Sequence, residues 1–301
     1  MTHLIRGDVK IAPNVSGDLQ FLQYGQMQAH FEAEDNHDLQ SLYFESGLTI
    51  LDVSPFGLSL RNLSSFRSIT APVISTLWGN FSLIDLPVLE TINMSSLWNV
   101  GGSIRLARLP KLKTFIAHPN TISMVGDLEI KDVPLDNLDP VLTGSFQNRV
   151  TIEGIPNVKT LSYKMFHSED VTIHENGELV MEFASYYHGS GRTRNMFANS
   201  MTLYGLKSLT HNASESGHLT NFRVGALRLA RNSFETLEID LNNLTSLYVQ
   251  DNANLTAVRF HPNASTYSWR EVIVTGNPKL TLTSTAKPPG EGAKNLSAAW
   301  V

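Results

Sequence analysis

A short pattern of apolar and polar positions is repeated through most of this chain. The pattern reads apolar, any, apolar, any, any, apolar, and each of its four clearest copies is followed by proline. These copies are Phe81–Leu86, Ile104–Leu109, Leu128–Val133 and Val150–Ile155. Alternation over three residues has the period of a β-strand and not that of a helix, so each copy predicts a short strand.

Further copies lie on both sides of these four, and Val9–Ile11 is a first one. The second apolar residue of each of ten copies marks the repeat: Leu60, Leu83, Leu106, Ile130, Ile152, Ile173, Leu203, Leu229, Val249 and Val274. One such coil cannot bury its own apolar face, but stacked coils bury a continuous column. The sequence therefore predicts an all-β fold, a right-handed parallel β-solenoid with leucine-rich-repeat-like (receptor L-domain) coils of about 20–26 residues.

The repeat predicts one continuous solenoid over residues 1–285. Within it, residues 1–57 form an N-terminal cap and the first coils, an insertion lies near residues 184–198, and residues 286–301 form a flexible exit rich in Pro and Gly. Helical periodicity is weak and is limited to Gln20–Glu34 and Leu138–Phe146.

Two residue types predict how the coils turn. Gly79, Gly101, Gly102 and Gly126 lie at coil ends, where positive φ is expected. Asparagine replaces the final apolar residue in four later copies, where it is expected to hydrogen-bond its own turn and to tolerate left-handed geometry. These asparagines are Asn176, Asn232, Asn252 and Asn277.

Composition narrows the choice of partner. The formal net charge is −5 and no basic cluster is present, which argues against nucleic acid as a partner. Cysteine is absent, so disulfides, thiol nucleophiles and Cys–metal sites are excluded. No transmembrane segment, cofactor or metal is expected, and the chain is expected to be a monomer.

Catalytic motifs are not apparent in the sequence. The sharpest enzyme hypothesis is a β-helix polysaccharide lyase or hydrolase, which needs two carboxylates brought close on neighbouring coils. The candidates are Asp85 with Asp132, two coils apart, and Glu129 with Glu153, on adjacent coils at different phases. A charged outward face accounts for these four residues without catalysis.

The insertion contains residues that could form a ligand-binding loop. Loops carry function more often than cores do, although a tolerated surface insertion is the simpler and preferred interpretation of this one. The candidate binding residues are Tyr186, Tyr187, His188, Arg192 and Arg194.

Glycosylation acceptor triplets indicate a secreted protein. Nine Asn-x-Ser/Thr triplets occur, more than the composition predicts by chance. Their asparagines are Asn14, Asn62, Asn80, Asn93, Asn212, Asn243, Asn254, Asn263 and Asn295. We expect an extracellular, cell-surface or cell-wall location, although neither a signal peptide nor a GPI-attachment tail is visible in this chain.

Several of the repeats resemble a known family. The segment Ser103–Thr114, the Val100–Gly102 turn, the closing Gly276–Leu280 and the opening Arg6–Ile11 look like the receptor L-domain-like repeats of fungal cell-wall organisation proteins, which include sporulation-specific, GPI-anchored wall proteins. The resemblance covers residues 7–285. It implies a non-enzymatic role in wall organisation, with wall polysaccharide or wall protein as the partner. The alternative is a leucine-rich-repeat-like module that recognises a protein.

Overall fold

The computed structural model describes residues 4–21, 26–28, 30–44, 49–50, 57–118, 123–124, 126–142, 148–163, 167–175, 177–184, 187–188, 192–193, 196–212, 222–239, 244–260 and 270–281. The chain divides into two compact units, Met1–Val158 (unit 1) and Lys159–Val301 (unit 2). Both are built of β-strands, and the predicted β-solenoid fold is confirmed. Its continuity over residues 1–285 stays a prediction, and the exit at 286–301 lies outside the described residues.

Unit 1 contains eighteen strands and one short helix within the described residues. The strands are β1 (Leu4–Arg6), β2 (Val9–Ile11), β3 (Gly17–Phe21), β4 (Gln26–Gln28), β5 (Phe31–Glu34), β6 (Leu39–Phe44), β7 (Thr49–Ile50), β8 (Leu58–Arg61), β9 (Ser68–Thr70), β10 (Thr76–Leu77), β11 (Phe81–Ile84), β12 (Thr91–Asn93), β13 (Asn99–Val100), β14 (Ile104–Ala107), β15 (Thr114–Ile116), β16 (Ser123–Met124), β17 (Leu128–Lys131) and β18 (Arg149–Glu153). The helix is α1 (Asp139–Leu142), inside the weak helical signal at Leu138–Phe146.

Unit 2 contains twelve strands within the described residues. They are β19 (Thr160–Tyr163), β20 (His167–His174), β21 (Val180–Ala184), β22 (Tyr187–His188), β23 (Arg192–Thr193), β24 (Met196–Tyr204), β25 (Ser208–Asn212), β26 (Phe222–Ala230), β27 (Thr236–Ile239), β28 (Ser246–Gln250), β29 (Ala257–Phe260) and β30 (Glu271–Thr275).

Equivalent strands of successive coils stack into parallel sheets. In unit 1 the long sheet has the order β2-β5-β8-β11-β14-β17-β18, and shorter sheets have the orders β3-β6-β9-β12-β15, β1-β4-β7 and β10-β13-β16. In unit 2 the long sheet has the order β20-β24-β26-β28-β30, with β19-β21-β25 and β27-β29 beside it. Every consecutive long-sheet pair advances by one coil, as a solenoid requires.

The ten residues that mark the repeat are aligned and buried. In unit 1, Leu83 is paired in register with Leu60 and Leu106, and the column continues through Ile130 to Ile152. In unit 2, Ile173 begins the equivalent column, which ends at Val274. All ten are at most 2% exposed. Each stabilises the fold by roughly 1.5–3 kcal/mol through burial, so the columns are the cores of the two units.

The region before residue 57 contains regular strands. Phe31, Leu39, Leu42 and Phe44 on β5 and β6 are fully buried, and the rings of Phe31 and Phe44 meet edge to face at 5.6 Å. The weak helical signal over Gln20–Glu34 is wrong, because β4 and β5 lie there. The β5 segment, Phe31-Glu32-Ala33-Glu34, in fact alternates with the strand period.

Most long-sheet strands are followed directly by a left-handed residue. In unit 1 these residues have φ between 52° and 56° at Asp35, Asn62, Asp85, Arg108 and Asp132. Their amides continue the ladder across the turn; for example, Asp85 N–H donates to the Ala107 carbonyl of the next coil at 3.1 Å. These bonds help to offset the roughly 1–2 kcal/mol that left-handed geometry costs a residue with a side chain.

Asparagine occupies the position after the left-handed residue. The left-handed residues in unit 2 include Arg231 (φ 52°) and Asp251 (φ 55°), so Asn232 and Asn252 do not use the left-handed geometry that asparagine tolerates. Their side chains bond chiefly to neighbouring coils: Asn232 N–H donates to Asn252 Oδ1 at 2.9 Å, and Asn252 N–H donates to Asn277 Oδ1 at 2.9 Å. We call Asn232, Asn252 and Asn277 the asparagine ladder. Asn176 lies outside the described residues.

The glycines at the coil ends serve close packing and not positive φ. None of Gly79, Gly101, Gly102 and Gly126 has positive φ, contrary to the expectation. A Cβ on Gly101 would lie 2.8 Å from the Trp78 carbonyl oxygen, and one on Gly126 would lie 2.8 Å from that of Gly102. Glycine is therefore required at Gly101, Gly102 and Gly126, because backbones of successive coils approach too closely there for a side chain.

Candidate ligand-binding faces

The outward face of the unit 1 long sheet is a set of cross-strand ion pairs. Lys10 Nζ lies 3.3 Å from Glu32 Oε2, and Arg61 Nη1 lies 3.4 Å from Glu34 Oε1. Further along the sheet, three more pairs join adjacent coils: Arg105 with Glu129 at 2.9 Å, Arg108 with Asp85 at 2.5 Å, and Lys131 with Glu153 at 2.9 Å. The charges on this face are largely satisfied by one another, which leaves little uncompensated charge for a ligand.

The candidate catalytic carboxylates include three members of these pairs. The Arg108 guanidinium bonds to both carboxylate oxygens of Asp85 and holds the pKa of that carboxyl below its ordinary value of 3.8. A general acid for glycoside cleavage needs the opposite shift. Glu129 and Glu153 receive the charged side chains of Arg105 and Lys131 in the same way. This geometry gives these three carboxylates structural partners on adjacent coils.

The outward face of the unit 2 long sheet has a different composition. Its central row carries one outward residue from each coil: Thr172, Thr202, Arg228, Tyr248 and Ile273, which are in register on β20, β24, β26, β28 and β30. A neighbouring row includes Asp170, Ser200 and Glu271. Successive side chains of a row are spaced by the strand separation of about 4.8 Å. We call these two rows the unit 2 sheet face.

Tyr248 is the centre of a cluster on the unit 2 sheet face. The Arg228 guanidinium carbon lies 3.9 Å from the centre of the Tyr248 ring, within cation–π range. The Tyr248 hydroxyl donates to Glu271 Oε2 at 2.5 Å. This bond to a carboxylate is the main reason that the pKa of Tyr248 is raised above its ordinary value of 10.0. The cluster presents a cation, an aromatic ring and an anion side by side on three consecutive strands.

A second tyrosine, Tyr204, is the last residue of β24. The rings of Tyr204 and His174 meet edge to face at 4.3 Å, and Arg231 Nη1 donates to the Tyr204 hydroxyl at 2.8 Å. That bond is the main reason that the pKa of the Arg231 guanidinium is raised. Sequence analysis did not identify Tyr204. The signal was available, because Tyr204 directly follows Leu203, the buried mark of its copy.

The predicted insertion contains a short antiparallel ladder. Tyr187 pairs with Thr193 and His188 pairs with Arg192, so β22 and β23 run antiparallel, unlike the other paired strands in the described part of the chain. The other two candidate binding residues of this loop, Tyr186 and Arg194, lie outside the described residues. That the loop contacts a ligand stays a prediction.

Five of the nine acceptor asparagines have described side chains. Asn14, Asn62, Asn80 and Asn254 are exposed, and the last lies in a turn. Asn62 is also in a turn, and its Nδ2 donates to Asp35 Oδ1 at 2.6 Å. Asn93 is half-buried on β12, and its Oδ1 is buried without a hydrogen-bond partner. For Asn212 only the backbone, at the end of β25, is described; Asn243, Asn263 and Asn295 lie outside the described residues.

The described residues were also compared with the requirements of a metal site and of a membrane-spanning helix. No group of three or more His, Asp or Glu side chains among them is placed to hold a metal ion. In the same residues, no helix is both long and apolar enough to cross a membrane.

Comparison with protein-family models, with curated proteins and with solved structures finds no match.

Proposed function

We propose that this protein is a non-enzymatic cell-surface or cell-wall protein that contributes to fungal wall organisation by binding a wall glycan through its solenoid face. The observation that carries the proposal is the unit 2 sheet face. It places a hydroxyl or a charged group on each successive strand, with one aromatic ring at Tyr248, so an extended chain lying across the strands meets new partners at each step. The nine acceptor triplets support the extracellular location.

The chemistry of this face suits a polyhydroxylated chain. Hydroxyls of Thr172 and Thr202 can both donate and accept, as sugar hydroxyls do, and Ser200 Oγ, which donates to Asp170 Oδ1, can accept. Tyr248 adds an aromatic ring for the C–H face of a sugar, and Arg228 adds guanidinium donors. A face of this kind binds by many modest hydrogen bonds, each worth about 0.5–1.5 kcal/mol net, and needs no activated nucleophile.

A leucine-rich-repeat-like module that recognises a protein is the second candidate. The Arg228–Tyr248–Glu271 cluster supports it, because tyrosine and arginine are enriched in the residues that dominate protein–protein binding. The two functions differ in what a competitor displaces: soluble glycan releases the protein from a glycan surface, but it leaves a protein complex intact.

Retention on insoluble wall polysaccharides tests the proposal. The full chain is incubated with particulate β-1,3-glucan and with chitin, and the bound fraction is measured after washing. We expect retention, at least a five-fold loss of affinity for Arg228→Ala combined with Tyr248→Ala, and no release of reducing sugar. Arg259→Ala, on β29 of a different sheet, is the matched control and is expected to bind as the wild type does.

Three results would reject the proposal. Absence of retention on every wall polysaccharide would reject glycan binding. Retention of a single wall protein that soluble glycan does not displace would favour the protein-recognition module. Release of reducing sugar that is lost when one carboxylate is replaced would favour a β-helix lyase or hydrolase instead.

A further inference from the structure

Two tryptophans of unit 1 are unusually exposed. Trp78 is 41% and Trp98 is 49% exposed, and they are two of the four large hydrophobic side chains exposed among the described residues. Tryptophan is highly buried on average, because its large ring contributes strongly to core packing. Two such rings open to solvent on adjacent coils are candidates for contact with a ligand.

Both tryptophans lie next to strands of the same short sheet, β10-β13-β16. Trp78 directly follows β10 and Trp98 directly precedes β13, and these strands pair in parallel through Thr76 with Asn99 and Leu77 with Val100. Trp98 N–H donates to the Ser75 carbonyl at 3.0 Å. Leu77 and Val100 are fully buried and anchor the two segments to the core. The exposed rings are therefore each one residue away from a paired strand with a buried anchor residue.

The register sets the distance between the two tryptophans. Trp78 is level with Gly101, three residues beyond Trp98 on the neighbouring strand, so the two Cα atoms are separated by about 11 Å in strand geometry. Position 101 requires glycine, because a Cβ there would lie 2.8 Å from the Trp78 carbonyl oxygen. The coil that follows Trp78 thus places no side chain at its level, which leaves that position open to a ligand.

The chain segments that carry the pair are polar but uncharged, and His118 of the next coil is bonded through its N–H to the Leu97 carbonyl at 3.1 Å. Residues 68–84 and 91–104, which carry β10, β13 and both tryptophans, contain no Asp, Glu, Lys, Arg or His. They supply hydroxyl and amide groups instead, among them exposed Asn80 and half-buried Ser96 and Asn99. A charged polymer would find no counter-charge in these segments, whereas a neutral polyhydroxylated one would find matching hydrogen-bond groups.

We infer that Trp78 and Trp98 of unit 1 form a stacking site for a neutral, β-linked polysaccharide. Pyranose rings with equatorial substituents present flat C–H faces, which pack on indole rings, and their hydroxyls bond to hydroxyl and amide side chains at the ring edges. A separation of about 11 Å lets the two indoles contact different sugar residues of one extended chain. This inference rests on the proposed glycan binding and assigns part of it to a site remote in sequence from the unit 2 sheet face.

Titration of the full chain with defined oligosaccharides tests the site. The probes are the hexasaccharides of β-1,3-glucan, β-1,4-glucan and chitin. Their binding is measured by calorimetry and by tryptophan fluorescence. We expect at least one probe to bind with a fluorescence change, and Trp78→Ala and Trp98→Ala each to weaken its binding at least ten-fold. The double variant keeps Trp269 and Trp300 and is expected to lose the fluorescence response.

Exposed hydrophobic residues on another sheet provide the control. Tyr43→Ser on β6 and Ile116→Ser on β15 are expected to bind within two-fold of the wild type. Because all four side chains are exposed, melting temperatures near the wild-type value are expected and confirm that the variants fold.

The outcomes separate this site from the proposed function. If the tryptophan variants bind every probe as the wild type does, while Arg228→Ala with Tyr248→Ala loses retention on wall polysaccharide, the stacking site is rejected and the proposed function stands. If the wild-type chain is retained on wall polysaccharide but binds no hexasaccharide, the stacking site is also rejected. If it binds neither polysaccharide nor hexasaccharide, both are rejected.

Discussion

The turn that follows each long-sheet strand is closed by aliphatic side chains in most of unit 1 and by asparagine in most of unit 2. In unit 1 the residues after the left-handed position are Leu63, Leu86, Leu109, Val133 and Ile155, all at most 1% exposed. In unit 2 the equivalent residues include Asn232 and Asn252, which are 3% and 0% exposed. Asn36 in unit 1 and Leu206 in unit 2 are exceptions, so either residue type fits either unit.

The difference shows that one coil geometry can be stabilised by two physical means. An aliphatic residue contributes burial energy and leaves the turn amides to bond with backbone, as when Val133 N–H donates to the Gly154 carbonyl. An asparagine contributes less apolar area but satisfies its neighbours directly: Asn252 Nδ2 donates to the Leu229 carbonyl at 3.2 Å and to Asn277 Oδ1 at 3.0 Å. The backbone register, which is common to both, therefore sets the coil.

The outward faces of the two long sheets also differ in the side chains that join adjacent coils. The unit 1 face joins adjacent coils by ion pairs, such as Arg108 with Asp85, whereas the unit 2 face joins them by the stacked Arg228 and Tyr248. Paired surface charges contribute little to stability, and they satisfy each other. Aromatic and hydroxyl groups remain suited to a ligand, which is why we place the candidate glycan contact of the long sheet in unit 2.

The largest effect is expected where the two units are alike, in the inward column. Leu106→Asp places a carboxylate in a dry core with no partner, and we expect it to unfold unit 1 at room temperature. Thermal melting followed by circular dichroism measures this. Its neighbour Arg105→Ser loses only the exposed pair with Glu129, so about 0.5 kcal/mol is expected. Equal melting temperatures for the two variants would contradict the inward assignment.

A smaller effect is expected from the asparagine ladder. Asn252→Ala and Asn252→Leu both leave the Asn232 amide and the Leu229 carbonyl without their partners, so each is expected to lose about 2–4 kcal/mol of the free energy of unfolding. Asn254→Ala, which removes an exposed bond from Lys279, is the control, with a loss within about 0.5 kcal/mol. Urea unfolding measures both. If Asn252→Leu is as stable as the wild type, burial alone can close this turn and the contrast between the units disappears.

The smallest effect is expected from the unit 1 ion pairs and depends on pH. The pKa of Asp85 is lowered by its bond to Arg108, so its contribution to stability is present above the unfolded-state pKa and is lost as pH falls through the folded-state pKa, below 3.8. Asp85→Asn is therefore expected to cost under about 1 kcal/mol at neutral pH, and less at high salt, because the pair is partly exposed. Unfolding in denaturant at several pH values tests this. A difference between variant and wild type that persists unchanged at pH about 2 would show that the charge of Asp85 is not the cause.

The inward column could be predicted from the sequence because strand alternation repeats its mark in every coil. Tyr248 and Glu271 are 23 residues apart, and their contact depends on the register between β28 and β30, which follows only after both copies are aligned. The coil-end glycines were misinterpreted for a different reason: positive φ and close backbone approach both require glycine, and a single sequence does not distinguish them. The exposure of Trp78 and Trp98 depends on what neighbouring coils place beside them, and sequence analysis did not identify it.

The asparagine ladder makes the coils of unit 2 unequal with respect to truncation. Each bond runs from an amide to the side chain of the next coil along the chain: Leu206 N–H to Asn232, Asn232 N–H to Asn252, and Asn252 N–H to Asn277. Deleting the segment that carries Asn277 would therefore strip the Asn252 amide of its acceptor, and the defect would move back by one coil with each further deletion. Conversely, an added coil that supplies an asparagine at the matching position could serve the Asn277 amide, so unit 2 can in principle be lengthened by whole repeats from this end.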